Sequence, residues 1–300
     1  MQPRVLKNLK GIEGALVMRI AVFADIHGKF LLPFKLAAHY RQKTGKDIDL
    51  LLQCGDMGAF PDKGAMDKAT LRHAAKDRDE LGFLDGFVRA KPEYAAFLDA
   101  LGLEMWCVRG NHEDHAFLDG LELQSPPDRP SFAIDAYRRV KVLKTGVPAY
   151  FEKDGDVVGI VGIGRIGDRK GRMHPQFVQD YERKRLESLV KTGGEWDVLL
   201  SHDKAGGSER GYGSDDVARI LDEIPFAYHF YGHTGEPFQT ALAENGITQS
   251  VKVRELEFDG AGRLSEGCMV VLEKSKGRWN MDAVPSDVVA PFMRQTWHYL

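Results

Sequence analysis

Five short segments of this 300-residue chain carry side chains that could together bind metal ions. These segments are Asp25-x-His27, Gly55-Asp56, Gly110-Asn111-His112-Glu113, Ser201-His202 and Gly232-His233. Their mixture of carboxylate, imidazole and amide donors suits borderline divalent cations such as Mn, Fe or Zn better than Mg or Ca, which prefer oxygen ligands. One carboxylate can bridge two ions, and two ions can activate water while they hold a phosphoryl group. The pattern is therefore typical of metal-assisted hydrolysis.

Each of the five segments follows a short, mainly apolar run, which predicts a β-strand. The runs cover residues 19–24, 49–54, 104–108, 197–200 and 226–231. They lack a strict alternation of apolar and polar residues, which indicates strands that are covered on both faces. Ligand sites in open α/β sheets lie outside the carboxyl ends of the strands, so we expect the donors to meet there. The glycines before Asp56, Asn111 and His233 would permit the sharp turns that aim these donors at one point.

Helical patterns lie between these strands, and further strands follow them. Helices are predicted at residues 30–40, 93–101 and 175–191. A fourth helix begins after Ser214, whose hydroxyl can cap it. Further strands are predicted at 140–143, 149–152 and 157–161, in a hairpin of 238–242 with 247–253, and in a pair of 251–258 with 268–272. These elements predict an α/β fold of two packed mixed β-sheets flanked by helices.

The composition is that of a folded protein with little net charge. The chain is 43% hydrophobic and 28% charged, and its formal charge of −3 excludes a globally basic nucleic-acid coat. No apolar stretch approaches the ~20 residues of a membrane-spanning helix, so we expect no membrane partner. The three cysteines, Cys54, Cys107 and Cys268, are too few and too far apart for a disulfide framework. They favour a reducing compartment and predict a cytoplasmic location, with Cys54 and Cys107 as buried packing residues.

The chain has no internal repeat or obvious linker, which predicts one domain over residues 18–273. An N-terminal extension of residues 1–17 precedes it and lacks the apolar segment of a secretory signal. A tail of residues 274–300 is expected to pack on the domain. Residues 57–91 form a charged insertion, which is either a lip that selects the substrate or a solvated helical excursion. Its mixed charges favour the second interpretation.

From residue 19 to residue 235, the order of the five segments resembles the calcineurin-like metallophosphoesterase superfamily. The resemblance implies a four-layer αββα sandwich and a dinuclear site, with Mn as the expected metal and Fe or Zn as alternatives. The ligands that it implies are Asp25 and His27 for the first ion, Asp56 as the bridge, and Asn111, His202 and His233 for the second. It also implies that His112 is a general acid, which protonates the leaving oxygen while metal-activated water attacks phosphorus.

The sequence lacks one metal ligand that the resemblance would supply. Relatives usually have Gly-His-x-His at the last segment, but here Gly235 stands in place of the second His, so the first ion loses an imidazole. That ion could bind weakly, bind through an extra water, or recruit His174 or Asp203. Alternatively, only the second site is occupied. We favour two sites of unequal affinity, because loss of one ligand weakens a site without abolishing it.

The sequence also lacks the usual partner of the catalytic imidazole. Many relatives place Asp or His three residues after the aspartate of the Gly-Asp segment, where this chain has Ala59. His112 would then be oriented by another group or hardly at all. Arg109 resembles an arginine of Ser/Thr protein phosphatases that binds phosphate, and its bidentate geometry suits that catalytic role. The alternative for Arg109 is an outward-facing surface charge.

The loop that follows residue 161 reads Gly162-x-Gly164-x-x-Gly167, as in a dinucleotide-binding fingerprint. No helix is predicted to open at its last glycine, so we reject a nicotinamide cofactor. The same loop carries Arg165, Arg169, Lys170 and Arg172, which could clamp a polyanionic substrate or could simply lie on an exposed flexible loop.

The arrangement of residues 49–60, the charged insertion, Asn111-His112-Glu113 and Ser201-His202-Asp203 is similar to that of RNA lariat debranching enzymes. This partial likeness favours a phosphodiester over a monoester as the substrate. Those enzymes also lack the orienting residue after Gly-Asp, but they typically have Cys where Asp25 stands and keep the final His. The expected partner is a phosphorylated small molecule, a nucleotide or a nucleic-acid phosphodiester. Two alternatives remain: a degenerate family member that binds metal or nucleotide and regulates a partner, and a protein phosphatase.

Overall fold

The computed structural model of the protein describes residues 17–168, 170–207 and 211–300, and thirteen β-strands lie in this part of the chain. They are β1 (Met18–Phe23), β2 (Leu50–Gln53), β3 (Met105–Cys107), β4 (Ser131–Ala133), β5 (Val140–Leu143), β6 (Ala149–Lys153), β7 (Asp156–Ile163), β8 (Val198–Ser201), β9 (Tyr228–Tyr231), β10 (Gln239–Leu242), β11 (Gln249–Lys252), β12 (Val270–Ser275) and β13 (Arg278–Ala283). All five strands that precede the polar segments are present. The short apolar runs therefore predicted these strands correctly.

The strands form two mixed sheets. Their spatial orders are β13-β12-β1-β2-β3-β5-β4 in the first sheet and β10-β11-β9-β8-β7-β6 in the second. The central strands of both sheets pair in parallel. The outer strands pair with their neighbours in antiparallel orientation. Because the central strands are parallel, their carboxyl ends lie together at one edge of each sheet.

Eight α-helices lie in the described ranges. They are α1 (Leu31–Thr44), α2 (Lys68–Ala74), α3 (Gly82–Gly86), α4 (Pro92–Leu101), α5 (His115–Gln124), α6 (Asp180–Thr192), α7 (Asp215–Glu223) and α8 (Ser286–Val289). Ser214 caps α7 as expected, since its side chain accepts the N–H of Val217. Helix α6 begins later than the predicted residue 175, because Gln179 and Glu182 form a reciprocal cap at its start. None of these helices is both long and apolar enough to cross a membrane.

The side chains of β1 show how the layers are built. Ile20 and Val22 pack in one apolar cluster with residues of the second sheet such as Val198 and Phe230, so this cluster lies between the sheets. The alternate residue Phe23 belongs to a separate cluster with side chains of α1. A third cluster joins the second sheet to α6 and α7. The molecule is thus helix, sheet, sheet and helix in turn, which confirms the predicted fold class.

Two further predicted features differ from the structure. Residues 251–258 and 268–272 do not pair as strands, because β12 instead pairs with β1 and with β13, which follows it across a tight turn. The boundary predicted between residues 273 and 274 falls inside β12, and the C-terminal tail supplies β13 as an edge strand. Residues 1–16 of the N-terminal extension lie outside the described residues. Cys54, Cys107 and Cys268 are free and buried.

Candidate metal centre

The strand-end donors converge on one place between the two sheets. Asp25, His27 and Asp56 form one group, and Asp56, His202 and His233 form another. Within each group, one ligand atom of every residue lies within 4.8 Å of the others. Asp56 therefore belongs to both groups. The first group comes from the ends of β1 and β2, whereas the second joins β2 to strands of the opposite sheet.

Asn111 lies with the second group. Its side-chain Oδ1 is 3.1 Å from Nε2 of His202, and its backbone N–H donates to Oδ1 of Asp56 at 2.7 Å. The other ring nitrogen of His202, Nδ1, lies 2.7 Å from the carbonyl oxygen of Cys54. A hydrogen bond from Nδ1 to that carbonyl would leave Nε2 free to bind a cation, which is the usual arrangement of a metal-binding histidine. The geometry thus groups Asn111 with His202 and His233.

The glycines beside the donors are needed for close approach. A Cβ atom on Gly110 would clash with Oδ1 of Asp56, and one on Gly232 would clash with Oδ2 of Asp25. Four of the donors themselves adopt positive φ angles, namely Asp25 (48°), His27 (38°), Asp56 (53°) and His233 (64°). Such backbone strain in non-glycine residues is characteristic of functional sites, because the surrounding fold must hold it in place.

The electrostatics of the cluster fit a bound cation. Burial raises the pKa of Asp25 to about 7; the charge of His202 opposes this shift and the charge of Asp56 adds to it. Burial and the neighbouring His202 lower the pKa of His233 to about 3, so this imidazole stays neutral and able to bind metal. The carboxylates of Asp25 and Asp56 lie close together in a cluster with three imidazoles. Bound cations would relieve the repulsion between these two carboxylates. The mixed oxygen and nitrogen donors suit borderline divalent cations.

His112 has an orienting partner that the sequence did not reveal. Its Nδ1 lies 2.9 Å from Oδ2 of Asp67, which is the N-cap residue of α2 in the charged insertion. Burial alone would lower the pKa of His112, but the hydrogen bond to Asp67 and the charge of Asp56 raise it to about 9. The ring centres of His112 and His27 are 5.7 Å apart, which places His112 beside the first group. The insertion therefore supplies the role that Ala59 cannot.

Glu113 holds together the two turns that carry Asp56 and Asn111. Its buried carboxylate accepts the backbone N–H groups of Met57 at 2.8 Å, Ala59 at 2.9 Å and Gly110 at 3.2 Å. A carboxylate that accepts three backbone N–H groups fixes the two strand ends relative to each other. The Gly-Asn-His-Glu motif contained this residue, but its spacing alone gave no sign of the partners.

Arg109 does not lie where the sequence analysis expected. Its side chain is only 2% exposed, and its two terminal nitrogens pair with Asp119 and Glu122. The interpretation as an outward-facing surface charge is therefore wrong. Both nitrogens that would hold phosphate are already engaged, which argues against the phosphate-binding role as well. Both carboxylates lie on α5, which is joined to Arg109 by a turn whose path the sequence does not show.

Two of the basic residues proposed to clamp a polyanionic substrate are paired with carboxylates. Arg165 is fully buried and pairs with Asp119 and Glu182. Arg172 pairs with Asp168 and lies over the ring of Phe177. Arg169 lies outside the described residues. As expected, no helix opens at Gly167; helix α6 begins only at Asp180.

Neither residue suggested as a substitute ligand joins the first group. Asp203 is buried, and its carboxylate accepts the backbone N–H groups of Gly167, Lys204 and Gly213. His174 is exposed and its ring lies against Phe177. Two glutamates do reach this side of the centre, since Glu80 and Glu257 form a further group of possible ligands with His27.

Comparison with known proteins identifies the class of the molecule. Residues 18–237 match the sequence model of the calcineurin-like phosphoesterase family, so the chain belongs to this family and is a hydrolase of phosphoric esters. The structure is similar to TT1561 of Thermus thermophilus, at 13% identity and a TM-score of 0.51, with 90% of this chain and 100% of that one covered. It is also similar to GAP50, the anchor in the inner membrane complex of Plasmodium, at 12% identity and a TM-score of 0.50, with 90% and 85% covered. These identities show a shared fold alone. No curated protein matches the sequence.

Proposed function

We propose that the protein is a phosphodiesterase that uses two divalent cations, with Mn²⁺ the best-suited metal. The observation that carries this proposal is the position of Asp56, which belongs both to the group of Asp25 and His27 and to the group of His202 and His233. A carboxylate shared in this way can bridge two ions. When bound, the cations would supply Lewis-acid chemistry by lowering the pKa of water and neutralising charge on the phosphoryl oxygens.

His112 is the proposed general acid of the reaction. Its raised pKa of about 9 keeps the imidazole protonated at neutral pH, so a proton is available for the leaving oxygen. The side chain is 29% exposed, which allows a substrate to reach it. Asp67 is a positioning residue, because it holds Nδ1 and so directs Nε2 away from the insertion. Asp25, His27, Asp56, Asn111, His202 and His233 would hold the cations and take no part in proton transfer.

The charge around the centre supports a diester over a monoester. A monoester is a dianion near neutral pH and benefits from an arginine at the site, but Arg109 and Arg165 are both committed to carboxylates. The half-exposed carboxylate of Glu257 lies 3.6 Å from His27 and adds negative charge there. A diester carries only one negative charge, so it meets less repulsion there. Nucleotides and nucleic acids supply substrates of this kind.

Hydrolysis of bis-p-nitrophenyl phosphate and p-nitrophenyl phosphate in the presence of Mn²⁺ tests the proposal. We expect a higher kcat/KM for the diester, and we expect Asp56→Asn to remove the metal-dependent rate with both substrates. His73→Ala is a matched control, because His73 is an exposed histidine on α2. Equal rates for the wild type and Asp56→Asn would refute metal-dependent hydrolysis at this centre and favour a regulatory binding module. Faster turnover of the monoester would refute the diester preference and favour a phosphatase.

A further inference from the structure

The first group of donors lacks a ligand at the position where relatives have a second histidine. Gly235 stands there with a φ of 69°, and a Cβ built on it would meet no atom within 4 Å. The position is therefore open space that no neighbouring side chain fills. Because Asp203 is held by backbone donors and His174 lies elsewhere, a replacement must come from another part of the fold.

Glu257 reaches the first group from the segment that follows β11. The backbone N–H of Leu256 donates to the carbonyl oxygen of Ala24 at 2.9 Å, and Glu255 forms a parallel bridge with Ala24. This segment therefore runs beside the loop that carries Asp25 and His27. As a result, Oε1 of Glu257 lies 3.6 Å from Nε2 of His27. The carboxylate is about half exposed, so it can move to meet an ion.

Glu80 reaches the same point from the charged insertion. The 3₁₀ helix Arg78–Leu81 packs directly on the loop after His27, since a Cβ on Gly28 would clash with the backbone carbonyl of Glu80. The side chain of Glu80 is directed at His27 and Glu257, and the residue is only 6% exposed. Its carboxylate forms no hydrogen bond or ion pair with any residue of the described ranges. This nearly buried carboxylate faces an imidazole and a second carboxylate, and a cation between the three would bind all of them.

We propose that Glu80 and Glu257 replace the missing imidazole and complete the first metal site together with Asp25, His27 and Asp56. His27 is the link, since it belongs both to the group with the two aspartates and to the group with the two glutamates. The resulting set of one imidazole and four carboxylates suits Mn²⁺, which accepts oxygen-rich coordination. This inference rests on the proposed function, because it names the ligands of one of the two cations that the reaction requires.

Lys29 is a positive charge that could compete with a metal ion for Glu80. It is buried, and its Nζ lies 3.4 Å from the carbonyl oxygen of Ile26. Burial raises the pKa of Glu80 to about 7; the charge of Lys29 opposes this shift, but no ion pair forms between the two side chains. Lys29 therefore reduces the repulsion between the two glutamates without occupying the point between them. A cation remains the partner that the geometry favours.

Counting bound Mn²⁺ tests the inference without an activity assay. The wild type, Glu80→Gln, Glu257→Gln and the double variant are titrated with Mn²⁺ by calorimetry, and electron paramagnetic resonance reports whether two bound ions are spin-coupled. We expect the wild type to bind two coupled ions. The double variant should keep one ion with unchanged affinity and bind the other about 10- to 100-fold more weakly, which removes the coupled signal. Glu266→Gln is the matched control, since Glu266 is an exposed glutamate of the same region.

The possible failures are distinguishable. If the wild type binds no Mn²⁺, the proposed function fails. If the wild type binds two ions and the double variant binds both with unchanged affinity, the proposed function stands and the glutamates are not ligands. Should the double variant fail to fold, the half-exposed Glu257 still allows a decision, because Glu257→Gln alone is expected to weaken one ion at least threefold. An unchanged titration of that variant would overturn the role of Glu257.

Discussion

Replacing Asp67 by Asn isolates the positioning of His112 from the stability of the insertion. Oδ1 of Asp67 caps α2 by accepting the N–H groups of Ala69 and Thr70, whereas Oδ2 accepts from Nδ1 of His112. Asparagine keeps the capping oxygen and is itself a favoured N-cap residue. It replaces Oδ2 by an NH₂ group, which cannot accept the imidazole proton. The hydroxyl of Thr70 also donates to Oδ2, but it can instead accept from the new NH₂ group, so the variant should fold normally and lose only the orienting hydrogen bond.

The size of the effect follows from the contact that is lost. A hydrogen bond between charged groups contributes about 1.5–3 kcal/mol. The side chains of His112 and Asp67 are 29% and 38% exposed, so water partly replaces the contact. We therefore expect a loss of about 1–2 kcal/mol in the transition state, which corresponds to a kcat about 5- to 30-fold lower. KM should change little, because Asp67 acts on the imidazole rather than on the substrate.

The assay compares leaving groups in the presence of saturating Mn²⁺. A dinucleotide has an alkoxide leaving group that requires a proton, whereas p-nitrophenolate leaves without one. Asp67→Asn should slow the dinucleotide strongly and bis-p-nitrophenyl phosphate only slightly, and it should have no further effect in a His112→Gln background. Asp62→Asn is the control, because Asp62 caps the preceding 3₁₀ helix in the same way and is not in contact with His112. An equal loss with both leaving groups would refute the positioning role.

Three further predictions concern stability and metal binding. Burial lowers the pKa of His229 to about 3, compared with about 6.5 in the unfolded chain, so the unfolded state binds the extra proton between these values. The free energy of unfolding should fall below about pH 6.5 by up to about 1.4 kcal/mol per pH unit, and urea titrations of His229→Gln should show a shallower fall. Gly232→Ala should weaken the binding of the first ion about 10- to 100-fold in a calorimetric titration, because its Cβ would displace the carboxylate of Asp25. Mn²⁺ at about 100 times its Kd should raise the free energy of unfolding of the wild type by about 2.7 kcal/mol, and an unchanged midpoint in urea would contradict binding to the folded state.

Much of the centre was predictable because its determinants are local. Each donor segment directly follows an apolar run, and side chains at the carboxyl ends of neighbouring parallel strands must lie close together. Gly110 and Gly232 precede donors in the sequence, and their lack of a side chain is what admits the carboxylates of Asp56 and Asp25. Residues whose role depends on their immediate neighbours could thus be identified without coordinates.

The contacts that complete the centre come from segments with no such local constraint. The mixed charges of the insertion indicated a solvated excursion, yet its backbone packs against Gly28 and brings Asp67 and Glu80 to the site. Likewise, the position of Arg109 beside Asp119 and Glu122 depends on how α5 returns across the strand ends. The donors at the strand ends could thus be identified from the amino-acid sequence alone, whereas the packing of distant segments decided which charged side chains surround them. The physical reason is that strand geometry constrains neighbours over a few residues, whereas the approach of a remote carboxylate depends on the path of the whole chain.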